Sequence, residues 1–80
     1  MTDNTVIIEY YNKGGMWFGF LSEEDKNKYP QVKGLIIVNR SLDILTRSIP
    51  SELNKLLLAQ GLNAKPWSFK IREFDGGGKI

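Results

Sequence analysis

The chain has 80 residues, 41% of them hydrophobic and 25% charged, with a formal net charge of +2; this is the composition of one small globular domain, too small to bury a core and enclose a deep pocket as well. It contains neither cysteine nor histidine, which removes disulfides, thiolate metal sites, the commonest general base and the most nucleophilic side chain. An isoelectric point near 9.0 leans toward anionic partners, but the balance is milder than that of a dedicated nucleic-acid footprint.

Thr5 to Tyr11 is rich in β-branched and aromatic residues and reads as a first strand. Alternation puts Val6, Ile8 and Tyr10 on one side and Ile7, Glu9 and Tyr11 on the other. Asn12-Lys13-Gly14-Gly15 forms a glycine turn into a second strand, Met16 to Leu21. There Met16, Phe18 and Phe20 share one face, with Trp17 and Leu21 on the other. The hairpin holds five of the nine aromatic residues, and both its faces are largely apolar. Either protein covers both sides, or one side is a binding surface.

Ser22-Glu23-Glu24-Asp25 resembles a capping box opening a short helical turn that Pro30 stops. Three consecutive acids cannot all point inward from a helical turn, so capping rather than a divalent-ion site is the expectation. Lys26, Lys28 and Lys33 flank acids and read as a solvated face. A third strand follows Gly34 at Leu35 to Val38, its unbroken apolar run suggesting burial on both faces. Residues 39–48 fit two patterns, a short strand over 44–49 or a helical turn lined by Leu42, Leu45 and Ile49.

Pro50 to Gln60 is predicted to be a helix, with Ile49, Leu53, Leu56 and Leu57 as its apolar stripe and Leu58 off it. Gly61 suits the left-handed C′ position, and Leu62 then reaches back to Leu57. Trp67 to Phe74 is the cleanest amphipathic strand, Trp67, Phe69 and Ile71 alternating with Ser68, Lys70 and Arg72. Asp75-Gly76-Gly77-Gly78 reads as a turn or tail, so the domain spans 1–75 with a glycine-rich end over 76–80.

The order of strand, glycine turn, aromatic strand, apolar strand, helix and amphipathic strand is that of an OB-fold. Within it, Glu9-Tyr10-Tyr11-Asn12, Trp17-Phe18-Gly19-Phe20-Leu21 and Glu23-Glu24-Asp25 resemble the first two strands of cold-shock domains and the acids after them. Trp67-Ser68-Phe69-Lys70-Ile71 and Asp75-Gly76-Gly77-Gly78 resemble that family's fourth strand and last turn. Met16 and Trp17 stand where the family has lysine and glycine, and Leu35 to Asn39 lacks its aromatics and histidine. The resemblance implies an α+β, β-rich fold: an OB-like, partly open barrel of about five strands with one helix between strands three and four. The fifth strand would have to come from 44–49 or from a partner chain.

The resemblance also implies a single-strand-binding face carrying Tyr10, Phe18 and Phe20, which a hairpin with an odd number of loop residues would bring to one side. Lys13, Lys70 and Arg72 would then contact phosphates beside the stacked bases. Nothing in the sequence spaces a nucleophile beside a base, and no cofactor or metal ligand set is present, so a non-enzymatic module is expected. Gly14 to Gly19 fits G-x-x-x-x-G, but Phe20 stands where a phosphate-binding loop needs lysine. The expected partner is single-stranded RNA or DNA. The alternative is a small modulator or inhibitor, of the accessory type carried by phages and mobile elements, that docks on a larger protein through the same apolar face or through Leu58. A homodimer through an open sheet edge is a further expectation. No apolar run approaches the roughly 18 residues of a membrane span and residues 1–4 make no secretory leader, so the expected location is the cytoplasm.

Overall fold

Gly14 and Gly15 set the geometry of the sheet. In the computed structural model, which describes residues 4–74, they take φ of +62° and +84°, the left-handed pair of a type I′ turn. They join strand β1 (Thr5–Lys13) to β2 (Met16–Leu21) in a tight hairpin where Tyr11 faces Phe18 and Glu9 faces Phe20. β3 (Ile36–Asn39) runs antiparallel beside β2, and β4 (Ser68–Glu73) runs parallel beside β1. The strand order is β3-β2-β1-β4.

This is a small α+β fold on an open, mixed sheet, compatible with a partly open barrel. The described residues form four strands, where about five were expected. Residues 39–48 supply no strand; they contain helix α2 (Leu42–Arg47), which leads directly into α3 (Ile49–Ala59). Two helices therefore lie between β3 and β4 rather than one. A third, α1 (Glu23–Lys28), and a 3₁₀ turn at Pro30–Val32 connect β2 to β3. The helical outcome for α2 follows from Ser41, whose hydroxyl accepts the Ile44 N–H at 3.2 Å, and from Leu45, which the turn sends into the core. The turn expected at Asp75-Gly76-Gly77-Gly78 lies outside the described residues.

α2 and α3 cover one face of the sheet. Val6, Ile8, Leu21 and Ile37 meet Leu45, Ile49, Leu53 and Leu57 there, all buried; each such side chain contributes about 1.5–3 kcal/mol of transfer free energy. α3 matches its stripe, and Gly61 at φ +79° ends it while the Leu62 N–H returns to the Leu57 carbonyl at 2.9 Å. Trp67 closes the core's lower end: its indole N–H donates to Asn54 Oδ1 at 2.9 Å, and its ring meets Tyr29 edge-on. Two sequence expectations change. β3 is buried on one face only, through Ile37, leaving Ile36 and Val38 exposed. On β4, an edge strand, only Phe69 packs against the core, and Ile71 is exposed.

Candidate functional site: the open aromatic face

Among the described residues, no helical layer covers the other face of the sheet. Because the hairpin loop is Gly14-Gly15 alone, its residue count is even, and the alternation brings Tyr11, not Tyr10, beside Phe18 and Phe20. Tyr10 instead pairs with Gly19 on the helix-covered face and leans against Trp17, ring centroids 5.9 Å apart. The expectation that Tyr10 shares a platform with Phe18 and Phe20 is corrected accordingly.

Four rings meet on the open face. Tyr11 and Phe18 stack across the strands at 5.0 Å with planes 10° apart. Phe20 meets Tyr11 edge-on at 6.1 Å, and Phe74, just past β4, meets Phe20 at 5.0 Å and Tyr11 at 5.8 Å. These are favourable aromatic geometries, worth roughly 0.5–1.5 kcal/mol per pair beyond area. They line a concavity of about 500 Å³ with Leu35 and Ile36, and Lys26 and Lys33 stand at its margin. The Lys26 ammonium lies 5.8 Å from the centre of the Phe20 ring.

α1 borders this face because its carboxylates are spent on three different tasks. Ser22 donates its N–H to the Ile7 carbonyl at 3.0 Å, extending the β1–β2 ladder by one pair. Its own carbonyl, however, has turned to serve the helix, accepting from Asp25 and Lys26. The Asp25 carboxylate, on a residue only 6% exposed, takes its place and accepts from the Ile7 N–H at 2.7 Å and the Ser22 hydroxyl at 2.9 Å. Glu23 pairs with Lys26 at 3.1 Å. Glu24 reaches Arg72 at 3.4 Å. The three acids thus diverge to separate partners, while the Ser22 hydroxyl caps the helix by accepting the Asp25 N–H at 3.3 Å.

The predicted cations divide. Arg72 lies on the open face but is clamped by Glu9, with Nε 2.9 Å from Oε2, and by Glu24. The Glu9 hydrogen bonds first, and the nearby carboxylate charges after them, raise its pKa above the ordinary arginine value. Its own backbone N–H, then Arg72, holds the Glu24 carboxyl below 4.5. Lys13 pairs with Met16 at the hairpin end of this face, and Lys70 pairs with Ile7. Lys13, Lys33 and Lys70 have no ion-pair partner among the described residues. Of the six residues nominated from sequence, the sheet thus places Lys13, Phe18, Phe20, Lys70 and Arg72 on the open face, Arg72 held by Glu9 and Glu24, and Tyr10 on the other. Sequence reasoning missed Tyr11, Phe74, Lys26 and Lys33; the loop parity signalled Tyr11, whereas the others depend on how α1 and β4 fold back.

No protein-family model, curated protein or solved structure matches this chain. No helix among the described residues is long and apolar enough to cross a membrane.

Proposed function

We propose that the open aromatic face binds single-stranded nucleic acid, without catalysis. The observation that carries this reading is the concavity floored by Tyr11, Phe18, Phe20 and Phe74 and bordered by Lys26 and Lys33. Flat apolar rings accept bases, at roughly 1–3 kcal/mol per stacked base, while ammonium groups at the margin accept phosphates. Lys13 and Lys70 extend the basic border along the strands; Arg72, paired with Glu9 and Glu24, and Lys26, paired with Glu23, contribute less than the unpaired Lys33.

A second reading rests on a different feature of the same face. The Tyr11 and Phe18 rings turn their faces toward each other rather than outward, and aliphatic Ile36 and Val38 lie exposed beside them. Both suit docking onto an apolar protein surface better than stacking.

Salt separates the two. Trp17 pairs with Asn12 and leans on Tyr10, and Trp67 is buried, so intrinsic fluorescence is a poor reporter of the open face. The test is anisotropy of a fluorescein-labelled oligothymidine at about 50 and about 200 mM salt. Saturable binding that weakens with salt is expected, with Tyr11→Ala lowering affinity roughly 5- to 150-fold and Lys33→Ala flattening the salt slope by about one unit. Absence of binding at low salt by the folded protein rejects the nucleic-acid reading and leaves protein docking.

A further inference from the structure

We infer that β3 is a pairing edge, and that its occupant is the β3 of a second copy of this chain, making a symmetric antiparallel dimer with one continuous sheet. The inference stands on the edge itself and not on the nucleic-acid reading.

The direction of each backbone group follows from the hairpin. The Ser22 N–H donates to the Ile7 carbonyl, and the register continues through Glu9–Phe20, Tyr11–Phe18 and Lys13–Met16. Those are the hydrogen-bonded pairs of β1 and β2, because bonded and non-bonded pairs alternate along an antiparallel ladder. Trp17 and Gly19 therefore turn their backbone groups to β3, where they meet Asn39 and Ile37. Ile36 and Val38 turn theirs outward, away from the sheet. The same two residues hold their side chains on the open face, 69% and 44% exposed. Among the described residues, backbone and side chain are thus unpartnered at the same positions.

The two edges of the sheet are treated differently. β4 carries Lys70, Arg72 and Glu73, the charges that ordinarily discourage strand addition. β3 reads Ile-Ile-Val-Asn, with no charge and no proline. Its sequence is also self-complementary. With Ile37 on the two-fold axis, Ile36 of one copy falls opposite Val38 of the other, and the outward groups of each meet in bonded pairs. That register makes about four backbone hydrogen bonds and sets the exposed aliphatic side chains against each other. Leu35 falls opposite Asn39 and Arg40 opposite Gly34, so the two Arg40 charges stand at opposite ends of the contact. The axis is perpendicular to the sheet, so both aromatic faces look the same way. An edge this short lies at the small end of interface sizes, which makes the dimer concentration-dependent.

The test is sedimentation equilibrium together with amide hydrogen exchange, between about 10 and about 500 μM protein. The expected result is a shift from 9.1 kDa toward twice that mass, with the Ile36 and Val38 amides becoming protected over the same range. Val38→Lys should weaken self-association at least tenfold without loss of fold, since its side chain is exposed. Ile71→Lys on the β4 edge should leave association unchanged. A monomer at every concentration overturns the inference, as does a dimer that ignores Val38→Lys, one broken by Ile71→Lys, or protection of Ile36 and Val38 that does not vary with concentration.

Discussion

Gly19 lies beneath Leu45 so closely that a Cβ on Gly19 would come 2.9 Å from Leu45 Cδ2. The glycine is needed for the space above it, since it takes no positive φ. Its bare backbone is what lets α2 settle onto the middle of the sheet. Gly19→Ala is expected to destabilise the domain by about 1–3 kcal/mol, which at this size lowers the melting temperature by roughly 4–8 °C per kcal/mol. Circular dichroism melts of Gly19→Ala, Leu45→Val and the double variant should show a positive coupling, the shorter side chain relieving the added methyl. Additive losses would place α2 elsewhere.

Asp25 substitutes for a missing carbonyl at the end of the β1–β2 ladder. Asp25→Ala strips the Ile7 N–H and the Ser22 hydroxyl of their acceptor, and each group left unpaired in a buried setting costs about 1–3 kcal/mol. Asp25→Asn keeps an acceptor oxygen and should lose less. Urea denaturation of the two variants checks the order; an equal loss would mean that the negative charge, not the hydrogen bonds, matters at this position.

The two faces of the sheet predict different penalties for similar truncations. Leu53→Ala empties a fully buried site and should cost about 2–5 kcal/mol. Phe18→Ala removes a ring that packs on Tyr11 with no helix of the described residues above it, and the loss should stay near the 0.5–1.5 kcal/mol of an aromatic pair. A Phe18→Ala loss as large as that of Leu53→Ala would show the open face to be covered in solution, and the same melts repeated at high protein concentration would show by what.

The Glu24–Arg72 ion pair makes the Glu24 carboxyl an acid-sensitive group on the open face. Glu24 has its pKa lowered below 4.5, first by its own backbone N–H and then by Arg72. Its contribution to stability is therefore present above pH 4.5 and lost as pH falls through the lower, folded value. The raised pKa of Arg72 contributes throughout the acid and neutral range and is lost only in strong alkali, as pH rises through the folded value. Carbon-detected titration of the Glu24 carboxyl should give a midpoint below 4.5 that Arg72→Gln moves upward, though not fully to 4.5, because the larger cause remains. No movement in Arg72→Gln would dissolve the ion pair.

Local chemistry made most elements legible in the sequence. The stripe from Ile49 to Leu57 and the glycine at 61 delimit α3, and the run from Met16 to Leu21 is β2. Two kinds of information were not local. Whether Tyr10 or Tyr11 joins Phe18 turns on the parity of a loop, and a single residue reverses every side chain. The stretch 39–48 fits strand and helix patterns alike until Leu45 has a glycine to pack on, and that glycine is 26 residues away in β2. The candidate face depends on both, since loop parity and not local pattern sets Tyr11 rather than Tyr10 beside Phe18 and Phe20.

β1 has its antiparallel neighbour at once, across two glycines, but its parallel neighbour only at a distance: Arg72 reaches Glu9 over a separation of 63 residues. Folding is therefore expected in two stages, a fast hairpin and a much slower closure by β4 that awaits most of the chain. During synthesis the strand that becomes the interior of the sheet is itself an edge, with the Val6, Ile8 and Tyr10 backbone groups unclaimed. A nascent chain halted before Ser68 would thus offer a sticky strand that the finished protein hides, and the charges on β4 guard a border that β1 leaves bare until then.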